Sequence, residues 1–298
     1  MLFNIITWDA TPEIIDGWSV PNWYGLSWAF SFILGYQIIK MIFQKENAPK
    51  EWTDKVLFYV LIAGILGARL GHCFFYDPEY YLANPIDIFK IWEGGLASHG
   101  GAIGILIALF IYSKKVTKNS MLWILDRVVI CVAIAACFIR FGNLVNHEIV
   151  GHPSDKGMSM VFTRDFENKP DAIANAYGFE KVKYEYEQQD SDSLYQEKVT
   201  CPLYKVKMNL GDVTKKEAQE FLNNLSFDYT DLNPEAQLKT NVLRVVDKSW
   251  RISKGKEGRV VQMEAYLIPR HPAQLYEAIS YAVLFLILAV MYWKGNAY

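Results

Sequence analysis

Five apolar runs, each close to the length that crosses a bilayer core, constrain this chain more than any other feature. They cover roughly Trp23–Phe43, Val56–Phe75, Leu96–Tyr112, Met121–Val145 and Gln274–Trp293. A helix needs about 20 apolar residues to cross the hydrocarbon region, where every backbone polar group must find its partner inside the protein. The runs therefore predict five spanning helices, the third of them opening in the glycine-rich stretch Gly94–Gly104. Average composition does not reveal this, because 52% hydrophobic residues is near the value of an ordinary soluble domain. The segregation of apolar from charged residues does.

Basic residues in the short loops orient the spans, since Lys and Arg favour the cytoplasmic side. Lys45, Lys50 and Lys55 follow the first run and Lys114, Lys115 and Lys118 follow the third, whereas the segment Tyr76–Ala97 has only Lys90. This predicts the N-terminus outside, the two lysine loops inside, and the C-terminal end near Lys294 inside. The long polar block from about Gly151 to Ile268 then falls outside. Within it, Lys181–Glu187, Leu203–Leu210 and Arg259–Leu267 alternate as strands do. Thr214 and Glu217 form a capping-box pattern opening a helix, with Ala218, Phe221, Leu222 and Leu225 on one face. The expected fold class is an all-α polytopic membrane protein with an inserted extramembrane α+β head. Its parts are a membrane domain over 1–150, the head over 151–268, and a fifth span with the C-terminal end over 269–298.

Residues 77–97 form a second extramembrane feature. Pro85 can open a helix on which Ile86, Phe89 and Trp92 share a face, with Asp87 and Lys90 opposite. Two readings stand: an arm lying in the outer membrane interface, or a loop helix packed against the head.

Several classes are excluded. A net charge of −2 offers no basic field, and no nucleic-acid motif is present. The four cysteines, Cys73, Cys131, Cys137 and Cys201, have no metal-binding spacing, so no metal is expected. Residues 1–20 carry no Lys or Arg, so the first span is expected to direct insertion in place of a cleaved leader. Ile134–Cys137 imitates a lipobox but lies mid-span, and is read as chance.

The ionisable residues kept within the apolar runs carry the chemistry, because such residues usually face a cavity or each other. Arg69 and His72 close the second run; Arg140 closes the fourth, followed by Asn143, Asn146 and Glu148; Glu277 opens the fifth beside Arg270 and His271. With the predicted orientation these lie at the outer leaflet, while Asp126 and Arg127 lie near the inner one. Independent snorkelling to water suits Arg270 but not Arg140, Asn143 and Asn146, whose three-residue spacing lines one helix face. His99 sits in GGLASHGGAIG. An imidazole can take a thiol proton near neutrality, and a guanidinium offers phosphate a fixed fork.

Here the sequence becomes familiar. GARLGHCFFYDPEYYLANP, WEGGLASHGGAIG, IRFGNLVNHEIVG and PRHPAQLYE, with WYGL at Trp23–Leu26, resemble in order the signatures of the prolipoprotein diacylglyceryl transferase family. The resemblance runs from about residue 22 to 293, apart from most of the head. It implies a bacterial inner-membrane enzyme acting on phosphatidylglycerol without metal or soluble cofactor. The lipobox cysteine of a prolipoprotein attacks the diacylglyceryl unit, a thioether forms, and glycerol phosphate leaves.

By match to the family motifs, His99 and Arg140 are the catalytic candidates, base and phosphate ligand. Tyr24, Asn143, Asn146, Glu148 and Gly151 match headgroup-lining positions. Arg270, His271, Gln274, Tyr276 and Glu277 match the signature opening the next span. A glycine is usual where this chain has His147, which leaves that turn open. His99 could instead position the phosphate, with hydroxide or Glu148 taking the proton. The family pattern continues with two further spans and a YGxxRxxxE signature with no match here, so the chain is expected to be incomplete and at best weakly active; the alternative is a natural short homologue in which Arg69 supplies the second arginine. A lipid-binding or transport protein, or an inactive remnant of the transferase, are the competing readings. The partners implied are phosphatidylglycerol, prolipoprotein lipobox segments and membrane lipid, and no nucleic acid.

Overall fold

The computed structural model describes residues 5–15, 18, 20–196, 198–229, 232–246 and 249–295. In chain order the elements are β1 (Ile6–Trp8), α1 (Trp23–Lys45), α2 (Glu51–Phe75), α3 (Pro78–Ala83), α4 (Ser98–Tyr112) and α5 (Met121–Val145). There follow β2 (Met160–Phe162), α6 (Arg164–Ala176), β3 (Lys183–Tyr195), β4 (Val199–Asn209), α7 (Lys215–Tyr229) and α8 (Pro234–Thr240). The chain ends through β5 (Val242–Val245), β6 (Arg251–Gly255), β7 (Gly258–Leu267) and α9 (Ala273–Lys294). Helices α1, α2, α4 with its continuation to Thr117, α5 and α9 are long and apolar enough to cross a membrane. This is the architecture of a polytopic membrane protein carrying some sheet. Contacts divide the chain into two compact units, Met1–Ser27 with Ile139–Ala278 and Trp28–Phe138 with Ile279–Tyr298. The divisions fall inside α1, α5 and α9.

In the second unit, α2 and α4 are joined by a glycine seam. A Cβ added to Gly67 would lie 2.5 Å from the Gly100 carbonyl oxygen, and one added to Gly71 would lie 2.7 Å from Gly100 Cα. Gly67/Gly71 and Gly100/Gly104 are each four residues apart, the spacing that lets two backbones meet in lipid, where dispersion and not hydrophobicity drives association. The helix begins at Ser98, two residues later than the apolar run suggested, after Gly94 and Gly95 at φ +88° and +71°. At the end of the unit that carries the lysine loops, Phe43 stacks on Trp123 with centroids 6.0 Å apart and Trp52 meets both edge-on. Arg127 pairs with Glu46 at 3.0 Å, and the Tyr292 hydroxyl donates to the same carboxylate at 2.6 Å.

Residues 77–97 fold as α3 followed by 3₁₀ turns over Pro85–Phe89 and Ile91–Glu93. This corrects the expectation of an α-helix from Pro85. A 3₁₀ turn eclipses residues three apart, so Ile86 and Phe89 share a face of the first turn, while Trp92 lies on the second beyond Lys90; the three are 76%, 76% and 77% exposed.

In the first unit β3-β4-β7-β5 form an antiparallel sheet, with β6 also pairing β7. Alternate residues Tyr204, Val206, Met208 and Val261, Met263, Ala265 point into one core with the apolar face of α7. The capping box forms as expected: Glu217 N donates to Thr214 Oγ1 at 3.2 Å and Thr214 N to Glu217 Oε2 at 2.7 Å. Strand β3 continues eight residues beyond the predicted Glu187, through Gln188–Tyr195. That half is rich in Asp, Ser and Gln, which have little strand preference; its pairing with Val199–Pro202 across a register shift holds it in the sheet. A second, parallel pair joins β1 to β2.

Candidate functional site

The motif residues fall into two clusters, one in each unit. In the first unit the cluster grows from the end of α5, the turn that follows, and the start of α9. Arg140 Nε lies 2.5 Å from Glu277 Oε2, and another guanidinium nitrogen of Arg140 donates to Asn143 Oδ1 at 3.4 Å. Asn143 Nδ2 passes the chain on to Glu148 Oε2 at 3.0 Å, and Asn146 Nδ2 donates to Glu148 Oε1 at 3.3 Å. The side-chain nitrogen of Gln274 donates to the Glu148 backbone carbonyl. Arg140, Asn143, Asn146, Glu148, Gln274 and Glu277 thus form one connected network that holds two carboxylates, Glu148 and Glu277. Asn146 lies beyond the end of α5, so the three-residue spacing that suggested one helix face passes into the turn at its last member.

The turn itself explains the departure at His147. His147 and Ile149 adopt φ of +58° and +56°, the left-handed region in which glycine carries no penalty. His147 is held there by both ring nitrogens: Nε2 donates to Ala10 O at 2.9 Å, and Nδ1 accepts from Arg164 N at 3.4 Å. That tautomer is neutral, and burial pushes its pKa below the usual histidine value. Tyr24 packs beside this segment at Gly142. Gly142, one residue before Asn143, leaves room for its ring, since a Cβ there would lie 2.9 Å from Tyr24 Cδ2.

Gly151 N donates to His271 O at 2.9 Å, and a Cβ at Gly151 would lie 2.6 Å from that oxygen. Only a glycine lets the two segments approach this closely. His271 Nδ1 lies 3.2 Å from the Tyr276 hydroxyl, which donates to Met158 O at 3.1 Å. Arg270 does not reach water as a snorkelling residue would. It is buried, and its guanidinium donates to Asn241 Oδ1 at 2.5 Å, Leu238 O at 2.6 Å and Gly151 O at 3.2 Å. Asn241, itself at φ +55°, donates onward to Asp165 Oδ2 at 2.8 Å. Arg270 therefore ties the turn around Gly151 to α8 and its cap.

In the second unit His99 is the second residue of α4, directly before the glycine seam. Its ring is exposed and lies edge-on to Phe75 at 5.2 Å and tilted against Tyr76 at 5.8 Å. Arg69, the alternative second arginine, is buried with its donors spent on the arm. It bonds Ile88 O at 2.9 Å, Gly94 O at 2.6 Å and Asp87 O at 2.5 Å, and lies over the Tyr81 ring.

Sequence reasoning missed three features. Arg69 is the clamp of the arm, and Asn241 is the partner of Arg270; an asparagine directly after a short helix is a left-handed cap, which was the available signal. The third is a cavity of about 410 Å³ in the first unit, lined by Glu13, Arg164, Glu167, Asp171, Tyr184 and Tyr186 among others. It contains none of the motif residues. Tyr184 and Tyr186 hydroxyls donate to Asp171 and Glu167 at 2.6 and 2.8 Å, and burial raises both carboxyls above their usual range.

The sequence profile of the prolipoprotein diacylglyceryl transferases matches residues 15–298. The chain belongs to this family. Proteins named phosphatidylglycerol–prolipoprotein diacylglyceryl transferase align with 54% of it: one from Tolumonas auensis is 47% identical over 161 residues, covering 62% of its own length. One from Porphyromonas gingivalis is 48% identical over 164 residues and 58% of its length, and one from Chloroherpeton thalassium is 42% identical over 162 residues and 60% of its length. The chain thus spans about 60% of the length of these curated transferases. As a transferase-family chain, it has its signature residues in the two clusters described, each built on ends of helices long enough to span.

Proposed function

We propose that this protein transfers the diacylglyceryl group of phosphatidylglycerol to the lipobox cysteine of prolipoproteins, releasing glycerol phosphate. The observation that carries the reading is the Arg140 network: an ion-paired guanidinium, at the end of a helix long enough to span, linked through Asn143 to Glu148 and directly to Glu277. A guanidinium held on two sides is oriented before any ligand arrives, which is what electrostatic stabilisation of a developing phosphate charge requires. In this reading Arg140 takes the lipid phosphate, exchanging part of its contact with Glu277 for it. His99 serves the thiol as base, or positions the phosphate while hydroxide or Glu148 takes the proton. A free thiol ionises near pH 8.5, so modest assistance is enough.

The protein is placed in a bacterial inner membrane, with the N-terminus and the α+β segment outside and the residues near Lys294 inside. The exposure of Ile86, Phe89 and Trp92 supports residues 77–97 as an arm in the outer interface. The reading is tested by expressing the chain in bacteria depleted of their own transferase. Lipidation of a reporter lipoprotein above the depleted background is expected. A membrane-inserted chain that leaves the reporter unlipidated would contradict the proposal.

A further inference from the structure

Two buried side-chain oxygens, Asn146 Oδ1 and Gln274 Oε1, receive no hydrogen bond from any described residue. Both belong to amides whose nitrogen is committed to Glu148, Asn146 to its carboxylate and Gln274 to its backbone carbonyl. Those bonds fix which way each amide points. Turning either one over would set oxygen against oxygen at Glu148, so the unpaired atoms are acceptors and not misassigned donors. Gln274 is only 1% exposed, and a buried acceptor without a donor carries the full penalty of lost solvation. Native proteins pair such groups almost always, with a donor from the protein, from water or from a ligand.

What the site receives must therefore bring hydrogen-bond donors. The network already supplies the donor for an anion, Arg140, and its acceptors Glu148 and Glu277 are engaged by Asn143, Asn146 and Arg140. A phosphodiester at neutral pH has no donor, and neither do acyl chains. On phosphatidylglycerol the only donors are the two hydroxyls of the terminal glycerol. We propose that Asn146 Oδ1 and Gln274 Oε1 accept hydrogen bonds from these hydroxyls and so select the glycerol headgroup, with Arg140 holding the phosphate beside it. This rests on the phosphatidylglycerol reading above and adds a specificity role for two residues. Neutral amide oxygens match neutral hydroxyls, and two acceptors flanking one residue match two donors on adjacent carbons.

The test separates the hydroxyls from everything else in the lipid. The purified 298-residue chain is offered phosphatidylglycerol, phosphatidylpropanol and phosphatidylethanolamine of identical acyl chains, and bound lipid is counted by native mass spectrometry. Phosphatidylpropanol keeps the charge and the length of the headgroup but has no terminal hydroxyl. The parent should prefer phosphatidylglycerol over phosphatidylpropanol by roughly tenfold or more, the worth of about one good hydrogen bond, and over phosphatidylethanolamine. In Gln274→Met and Asn146→Ala the preference over phosphatidylpropanol should shrink towards one, while a circular-dichroism spectrum and thermal melt matching the parent's show the variants folded. Equal binding of the two lipids by the parent, a preference for phosphatidylethanolamine, or variants that lose both lipids in parallel would each overturn the assignment. Failure to bind phosphatidylglycerol at all would overturn the transferase reading, and this inference with it.

Discussion

Gly67→Ala should damage this protein far more than the same change elsewhere in its membrane helices. The added Cβ would lie 2.5 Å from the Gly100 carbonyl oxygen and 3.0 Å from Gly104 Cα. Ordinary van der Waals contact begins at 3.4 Å, so α2 and α4 must separate by up to about 0.9 Å, and neither obstructing atom belongs to a side chain that can turn away. Overpacking of this kind costs about 1–3 kcal/mol, and in lipid no hydrophobic gain offsets it. The matched control is Gly35→Ala in α1, where the new Cβ would stand 3.7 Å from Cys131 Cβ. There the substitution meets only ordinary contact and gains up to about 1 kcal/mol of helix propensity. Reversible unfolding of each purified variant in mixed detergent micelles, followed by circular dichroism, reads both. The expectation is a loss of about 1–3 kcal/mol for Gly67→Ala with Gly35→Ala neutral or stabilising. Equal stability of the two variants would refute the seam as the feature that joins α2 to α4.

Arg140→Lys keeps the charge but cannot hold both Glu277 and Asn143; losing one charge-assisted bond of about 1.5–3 kcal/mol predicts a fall in transfer rate of roughly 10- to 150-fold, and a variant within twofold of the parent would remove Arg140 from the mechanism. Burial lowers the pKa of His147 in the fold, so the unfolded chain binds the extra proton first and stability is lost as pH falls from the unfolded value of about 6.5 through the folded one. His147→Asn, which tolerates the left-handed backbone, should flatten that loss between pH 7.5 and 5 in thermal melts, and an unchanged slope would show that another group titrates. For topology, single cysteines at positions 47 and 117 should react with an impermeant maleimide only after permeabilisation, and one at position 190 in intact spheroplasts; the reverse pattern would invert the predicted orientation.

The spanning helices were legible because the bilayer imposes a length and a polarity that any such helix must meet, and α5 has the predicted bounds Met121–Val145. The capping box at Thr214 was legible for a similar reason, since two side chains and two backbone donors lie within four residues. Non-local features were not. Arg270 looked like a residue reaching for water until Asn241 and Leu238, 29 and 32 residues away in sequence, supplied its acceptors. Arg69 likewise takes its partners from a loop 18–25 residues further on. The second half of β3 was hidden because its Asp, Ser and Gln residues are held by pairing and not by preference. At the Arg140 cluster, motif order named the residues, while the fold alone supplied the chain of bonds that runs from Glu277 through Asn143 to Glu148. His147 shows both sides: the sequence marked an irregular position, and the φ of +58° gives the reason.

The most direct measurement is the mass of a lipobox peptide after incubation with the purified chain and phosphatidylglycerol of a single acyl composition. The account predicts a peptide heavier by one diacylglyceryl group, attached at the cysteine sulfur and stable to thioester cleavage, with glycerol phosphate released in equal amount and neither product formed by Arg140→Ala. An unmodified peptide under conditions where the chain binds phosphatidylglycerol would contradict it.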